Sequence, residues 1–379
     1  MNNNLHVYHY CSQLGRYRSG AWILMLVVVF VAQAEWRFLP SLASDPLTWP
    51  GMMMNKNGRL VTTEIHYDGL PAKRFVVYDV PTGQRLFDRY WTQASNEESP
   101  FRRVMIDTNN NINLAFNTEM QPLLRRYTPN GTQQSEQVRH EGDSLSWLSN
   151  AEWSLWGPGY IYSSWRDSYY NCGYVQTSTM DLRLLRTDTL SFWDTGAELE
   201  GDGSGGYYMI CPVANRPFSR NLYHMSWTGV LQGPEMFDVD NGFGAGDLCY
   251  APGSRTLMAL SGDMVDENHE TLYCLRFDPD NLHEISQELI SPFINTGSIK
   301  AALDTIWYVR EITPPVPPTP VYQGIAVWAY TQQSGWVATD SIPPSVWPLG
   351  GVIYSFDFAV YPYFVIAAGQ KMLVRYPGP

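Results

Sequence analysis

Nine aromatic side chains crowd the stretch from Trp147 to Tyr174. Within it, Trp165-Arg166-Asp167-Ser168-Tyr169-Tyr170-Asn171 sets rings beside a cation and a carboxylate. That combination suits a sugar: the apolar face of a pyranose stacks on a ring, and its hydroxyls bond to charged groups. Rings borne on strands have another use, as wedges between packed sheets. A second cluster, Asp263-Met264-Val265-Asp266-Glu267-Asn268-His269-Glu270, places four carboxylates and an imidazole in eight residues. Its oxygens could take Ca²⁺; a solvated loop is the alternative. Arg216 and Arg220 flank a third loop and can clamp a carboxylate bidentately, or simply pair at the surface. Asp238-Val239-Asp240-Asn241-Gly242 begins as an EF-hand loop does, but its Gly falls one place early and the distal Glu is missing. A turn between structural units is the better reading there.

Catalytic motifs are not found. Beyond the N-terminal segment the histidines are His66, His140, His224, His269 and His283, scattered along the chain. No GxSxG elbow, HExxH helix or phosphate loop accompanies them. No resident cofactor is expected, and calcium at Asp263–Glu270 is the one metal the sequence offers. With 37 acidic against 25 basic residues the chain carries −12, which repels phosphate backbones and argues against a nucleic-acid partner.

The N-terminus reads as an export signal. Arg16 and Arg18 form a positive n-region, Ala21–Ala32 an apolar h-region, and Ala32-Gln33-Ala34 a small-x-small site cut before Glu35. The uncharged run Ser19–Ala34 is shorter than the roughly 20 residues of a spanning helix, so residues 1–34 are expected to leave. Retention as an anchor is the alternative. Either outcome puts residues 35–379 outside the cytoplasm: periplasmic, cell-surface or secreted. In that oxidising setting Cys172, Cys211, Cys249 and Cys274 predict two disulfides of undetermined connectivity, with four buried thiols as the alternative.

The elements that must carry these loops are strands. Long amphipathic helical windows are scarce, and 26 Pro and 30 Gly punctuate short β-rich runs such as Phe75–Tyr78 and Ile325–Tyr330. A polar turn between two such runs recurs at Tyr78–Gly83, Tyr127–Gly131, Arg186–Thr189, Ser226–Gly229, Phe277–Asn281 and Tyr330–Gly335, and the chain ends inside a seventh copy at Arg375–Gly378. The steps run from 40 to 59 residues. A four-stranded propeller blade takes about 40–50. The seventh unit lacks its outer strand, which Glu35-Trp36-Arg37-Phe38-Leu39-Pro40 can supply from the other chain end, closing the ring. The expectation is an all-β, seven-bladed β-propeller of four-stranded blades spanning residues 35–379, its closing strand within about 35–42; six or eight blades remain open.

The turn Tyr78-Asp79-Val80-Pro81-Thr82-Gly83-Gln84 resembles the Asp-x-x-Thr-Gly turn of quinoprotein-like and YVTN-type propellers. The resemblance implies a fold and leaves the activity open. The tryptophan-docking repeat of quinoprotein dehydrogenases is missing, as are regular WD, Kelch and Asp-box patterns. In such a ring the loops between second and third strands share a face with the blade connections. Trp165, Arg166, Asp167, Tyr169, Tyr170, Arg216, Arg220, Asp263 and His269 all map near that face. Thr313–Pro320 (TPPVPPTP) should form a stiff polyproline II excursion, a rigid loop or a docking strand for a partner. The leading functional expectation is an exported, non-enzymatic module that binds or scaffolds an envelope or extracellular protein through this loop-rich face. The second is recognition or processing of a glycan at Trp165–Tyr170.

Overall fold

The computed structural model describes the strands from Trp36 to Arg375 and most of the tight turns joining them. Residues 1–35, 40–47, 67–71, 93–98, 118–121, 139–151, 157–159, 168–171, 191–197, 214–215, 239–247, 267–268, 292–296, 313–323, 344–355, 369–370 and 376–379 lie outside the described residues. The predicted export signal and the polyproline segment fall among these.

After β1 (Trp36–Leu39) come seven blades. Blade 1 is β2 (Thr48–Met54), β3 (Arg59–His66), β4 (Ala72–Asp79) and β5 (Gln84–Thr92); blade 2 is β6 (Ser99–Ile106), β7 (Ile112–Asn117), β8 (Pro122–Tyr127) and β9 (Gln133–Val138). Blade 3 is β10 (Glu152–Trp156), β11 (Tyr160–Asp167), β12 (Cys172–Thr179) and β13 (Leu184–Leu190); blade 4 is β14 (Glu198–Gly201), β15 (Tyr207–Val213), β16 (Arg216–Met225) and β17 (Leu231–Asp238). Blade 5 is β18 (Leu248–Ala251), β19 (Thr256–Asp266), β20 (His269–Phe277) and β21 (Glu284–Ser291); blade 6 is β22 (Gly297–Ala302), β23 (Thr305–Ile312), β24 (Gly324–Thr331) and β25 (Gly335–Ile342). Blade 7 is β26 (Phe356–Ala359), β27 (Phe364–Ala368) and β28 (Lys371–Arg375), and β1 completes it. Each sheet is an antiparallel meander in chain order, apart from this last strand. The innermost strands neighbour one another in the order β2, β6, β10, β14, β18, β22, β26 and back to β2. The expected seven-bladed, N-terminally closed propeller is therefore the fold.

The core is divided the same way. Seven clusters of buried side chains each draw on two adjacent blades, as when Val61, Phe75 and Val77 of blade 1 meet Val104, Ile112 and Tyr127 of blade 2. Both faces of a blade are covered by neighbours, so middle strands such as β24 are buried on both sides, whereas outer β25 is largely exposed. Large rings fill these wedges: Tyr78, Tyr127, Tyr207, Tyr308, Phe75 and Phe277 are fully buried.

Ring closure is cross-braced. Trp36 pairs Arg375 and Leu39 pairs Met372, and Leu39 enters the cluster between blades 7 and 1. Asp340 on outer strand β25 of blade 6 accepts the Trp36 indole N–H at 2.9 Å and pairs with the Arg375 guanidinium at 3.3 Å, holding both members of that register pair.

Two expectations need correction. Arg186–Thr189 is no turn but lies inside β13; the third-to-fourth-strand turn of blade 3 is at residues 180–183. The two predicted disulfides are not formed: Cys211, Cys249 and Cys274 are free and buried in the blade wedges, Cys211 between blades 3 and 4, the other two between blades 5 and 6. They face apolar neighbours instead of one another in bridging geometry, and the Cys274 sulfur sits 3.4 Å from that of Met258. Burial pushes the Cys274 thiol far up, which keeps it inert. Among the described residues no helix is long and apolar enough to cross a membrane.

Candidate functional site

Antiparallel meanders send first-to-second and third-to-fourth turns to one end of the ring and the remaining connections to the other. The first end is almost wholly described, and its turns show one local rule. Asn55, Asp107 and Asp202 each end an innermost strand, and the Oδ1 of each accepts the backbone N–H groups two and four residues on. Thr128, Thr179 and Ser226 use a hydroxyl for the same purpose on the outer turns, accepting the N–H four residues on. Such side chains stand in for a backbone acceptor and close the loop tightly. Gly131 adds a packing constraint: its φ is +80°, and a Cβ there would lie 1.9 Å from the Phe87 ring of blade 1.

The ionisable groups on this end mainly tie blades together. Arg126 pairs with Asp107 inside blade 2 at 2.7 Å and donates to the Met180 carbonyl of blade 3, and Arg186 of blade 3 donates to the Ser226 and Trp227 carbonyls of blade 4 at 2.8 and 2.5 Å. His224 bonds Asp202 at 3.0 Å and stacks on Tyr208. Burial raises the Asp202 pKa, but hydrogen bonds from His224 and Ser204 outweigh it and hold the carboxyl below its ordinary value. Burial pushes the Tyr162, Tyr207 and Tyr208 hydroxyls far up, so they stay neutral donors and acceptors. Around the axis, carboxylates serve the edge N–H groups of the next innermost strand: Glu200 accepts from Tyr250, Glu198 from Leu248, and Asp357 from Met52 at 2.8 Å. Lys300 bridges Asp357 at 2.5 Å and the Phe358 carbonyl at 2.6 Å.

The first turns of blades 5, 6 and 7 do not follow this rule, and a groove opens between blades 6 and 7. Their first turns carry Leu303-Asp304 and Tyr361-Pro362-Tyr363, and an open groove of about 490 Å³ runs between them, with Trp307 and Phe364 in its walls and Arg375 at one side. Leu303 (φ 56°) and Tyr361 (φ 64°) hold left-handed backbone conformations, costly for bulky residues. Leu182 and Leu282 do likewise, but both are buried in the core, which offsets the cost. Leu303 and Tyr361 are 61% and 48% exposed. Neither the Tyr361 side chain nor the exposed Asp304 carboxylate has a hydrogen bond, ion pair or ring contact with any described residue. Trp307 packs on Phe364 at 5.2 Å, and Trp36 packs on the same ring at 6.0 Å, so the groove wall is continuous with the ring closure.

The residues singled out from sequence lie at the opposite end. Trp165, Arg166 and Asp167 are the last three residues of β11, paired with Tyr174, Gly173 and Cys172; Tyr169 and Tyr170 lie outside the described residues. Arg216 opens β16 exposed, its guanidinium against the Met236 sulfur, while Arg220 donates to the Ser219 carbonyl at 3.0 Å. Burial pulls the Arg220 pKa down from its ordinary value. Asp263 pairs Thr271 and His269 pairs Asp266 in the β19–β20 hairpin. These three segments therefore sit at the second-to-third-strand connections of consecutive blades 3, 4 and 5. Among the described residues no group of three or more His, Cys, Asp or Glu side chains is disposed to hold a metal. The blade 6–7 groove was missed: Leu and Tyr-Pro-Tyr stand where blades 1, 2 and 4 carry a turn-closing Asn or Asp, but they read as strand hydrophobics.

No protein-family model matches the sequence, and no curated protein matches it. Solved structures do. The BP39L lectin from Burkholderia pseudomallei aligns over 88% of this chain and 98% of its own, at 10% identity and a TM-score of 0.56. The polysaccharide lyase Uly1 aligns over 86% of this chain and 89% of its own, at 9% identity and 0.57. At such identities the likeness extends to the fold alone, and the chain is a seven-bladed β-propeller.

Proposed function

We propose that this chain is an exported, non-enzymatic binding module that holds a ligand on the surface of a rigid ring. The observation that carries this is the open, aromatic-walled groove between blades 6 and 7, whose volume falls in the range of about 300–1,000 Å³ usual for small-ligand sites. Ionisable pairs nearby are committed to holding blades and turns, as Asp340 is to Trp36 and Arg375. Export is supported by the position of β1, which begins one residue after the predicted cut before Glu35. Electrophoresis of the purified protein through gels containing neutral and acidic polysaccharides tests binding against turnover. Retardation without new reducing ends or unsaturated products supports a binding module; product formation contradicts it.

A protein partner is the second reading, favoured by exposed apolar side chains on successive outer strands: Leu184 and Leu185 of β13, Leu231 and Met236 of β17, and Ile285 of β21. Met236→Asp should then release an extracytoplasmic partner while leaving retardation in polysaccharide gels unchanged.

A further inference from the structure

We propose that the blade 6–7 groove is a subsite for a neutral hexopyranose unit, stacked on the Tyr361 ring and hydrogen-bonded by the Asp304 carboxylate. This rests on the binding-module reading above and names its ligand class.

Several groups of the groove are left without partners among the described residues. Tyr361 is a large ring, half exposed, with no ring neighbour and no hydroxyl partner among the described residues, on a backbone conformation that bulky side chains avoid. Asp304 offers acceptors only and has no donor among the described residues; its Oδ1 rests beside Gly253 of blade 5, so it serves the groove after rotation of this exposed side chain. Arg375 offers donors only, with one terminal nitrogen already on Asp340. A ligand that satisfies all three needs an apolar flat face together with groups that both donate and accept. A pyranose has both, in its C–H face and its hydroxyls.

Charge narrows the choice further. The groove lining carries one carboxylate and one guanidinium, which balance, on a protein of net charge −12. A uronate would meet the field of an acidic molecule and a guanidinium already paired; an organic cation would meet that guanidinium. An uncharged polyhydroxyl ring meets neither. The size agrees, since an open groove of about 490 Å³ is fitted to one or a few sugar units along a chain more than to a folded domain.

Saturation-transfer NMR on the purified protein, with methyl glucopyranosides, galactopyranosides and mannopyranosides and their short neutral oligosaccharides, tests this. Glucuronate, galacturonate and choline serve as charged comparators. The expected result is transfer to the C–H face protons of at least one neutral ring. Tyr361→Ala should weaken binding about tenfold, the order of one aromatic stack plus its burial. Asp304→Asn should weaken it by a similar factor. Both variants should keep the parent urea midpoint, because both side chains are exposed. The inference is overturned if no neutral saccharide binds, if only the charged comparators do, or if both variants bind as the parent does; each of these leaves the binding-module reading standing. Cleavage of the oligosaccharides would instead overturn that reading itself.

Discussion

Single side chains on the turn end act as substitutes for backbone. Asp202 closes the first turn of blade 4 through the Ser204 and Gly206 amides and holds His224, so one carboxylate joins that turn to the third strand of the blade. Its pKa is lower in the folded protein than the ordinary 3.8, so its stabilisation is full above that value and fades as pH falls through the folded pKa. Asp202→Asn should therefore cost about 1–2 kcal/mol at pH 7, with the gap to the parent closing below about pH 4, measured as urea midpoints from pH 3 to 7. Gly131→Ala should cost about 1–3 kcal/mol, since the Phe87 ring fills the space of the new methyl and φ is left-handed. The buried thiols give a third expectation. Cys211, Cys249 and Cys274 should resist a thiol reagent until denaturant is added, and reductant should leave the melting temperature unchanged.

At the level of the element, the sequence was legible wherever a turn used turn chemistry. Tyr78–Gly83 was found because Thr82 bonds Asp79 and Gly83 takes φ 69°, needs met by a recognisable set of residues. Blade 3 was misread for the opposite reason. Its left-handed turn residue is Leu182, buried between blades 2 and 3, so it looks like strand, while Arg186-Thr187-Asp188 on outer strand β13 is polar and looks like turn. The groove hid in the same way, because Leu303 and Tyr361 read as strand hydrophobics. Spacing survived these local errors: third strands end at Asp79, Tyr127, Thr179, Met225, Phe277, Thr331 and Arg375, 44 to 54 residues apart. The closing strand was visible as a missing partner, but its brace was not, since Asp340 lies 304 residues from Trp36. Asp340→Ala should lower stability by about 1–2 kcal/mol, seen as an earlier thermal transition with red-shifted tryptophan emission. Deleting Trp36–Leu39 should cost several times more, because it bares the β28 edge and empties Leu39 from its cluster.

As a whole, the molecule is a ring whose stability is distributed over seven equivalent wedges, which leaves its surfaces free to vary. Trp165, Arg216 and Asp263 lie at one end of the ring, while the groove lies at the other, between the first turns of blades 6 and 7. Hydrogen–deuterium exchange of the protein with and without its best-retained polysaccharide separates the two ends directly. Slowed exchange is expected in Ala302–Thr305 and Val360–Phe364. Slowed exchange confined to peptides covering residues 165–173, 213–220 and 263–271, with the two groove turns unchanged, would contradict the groove as the binding site.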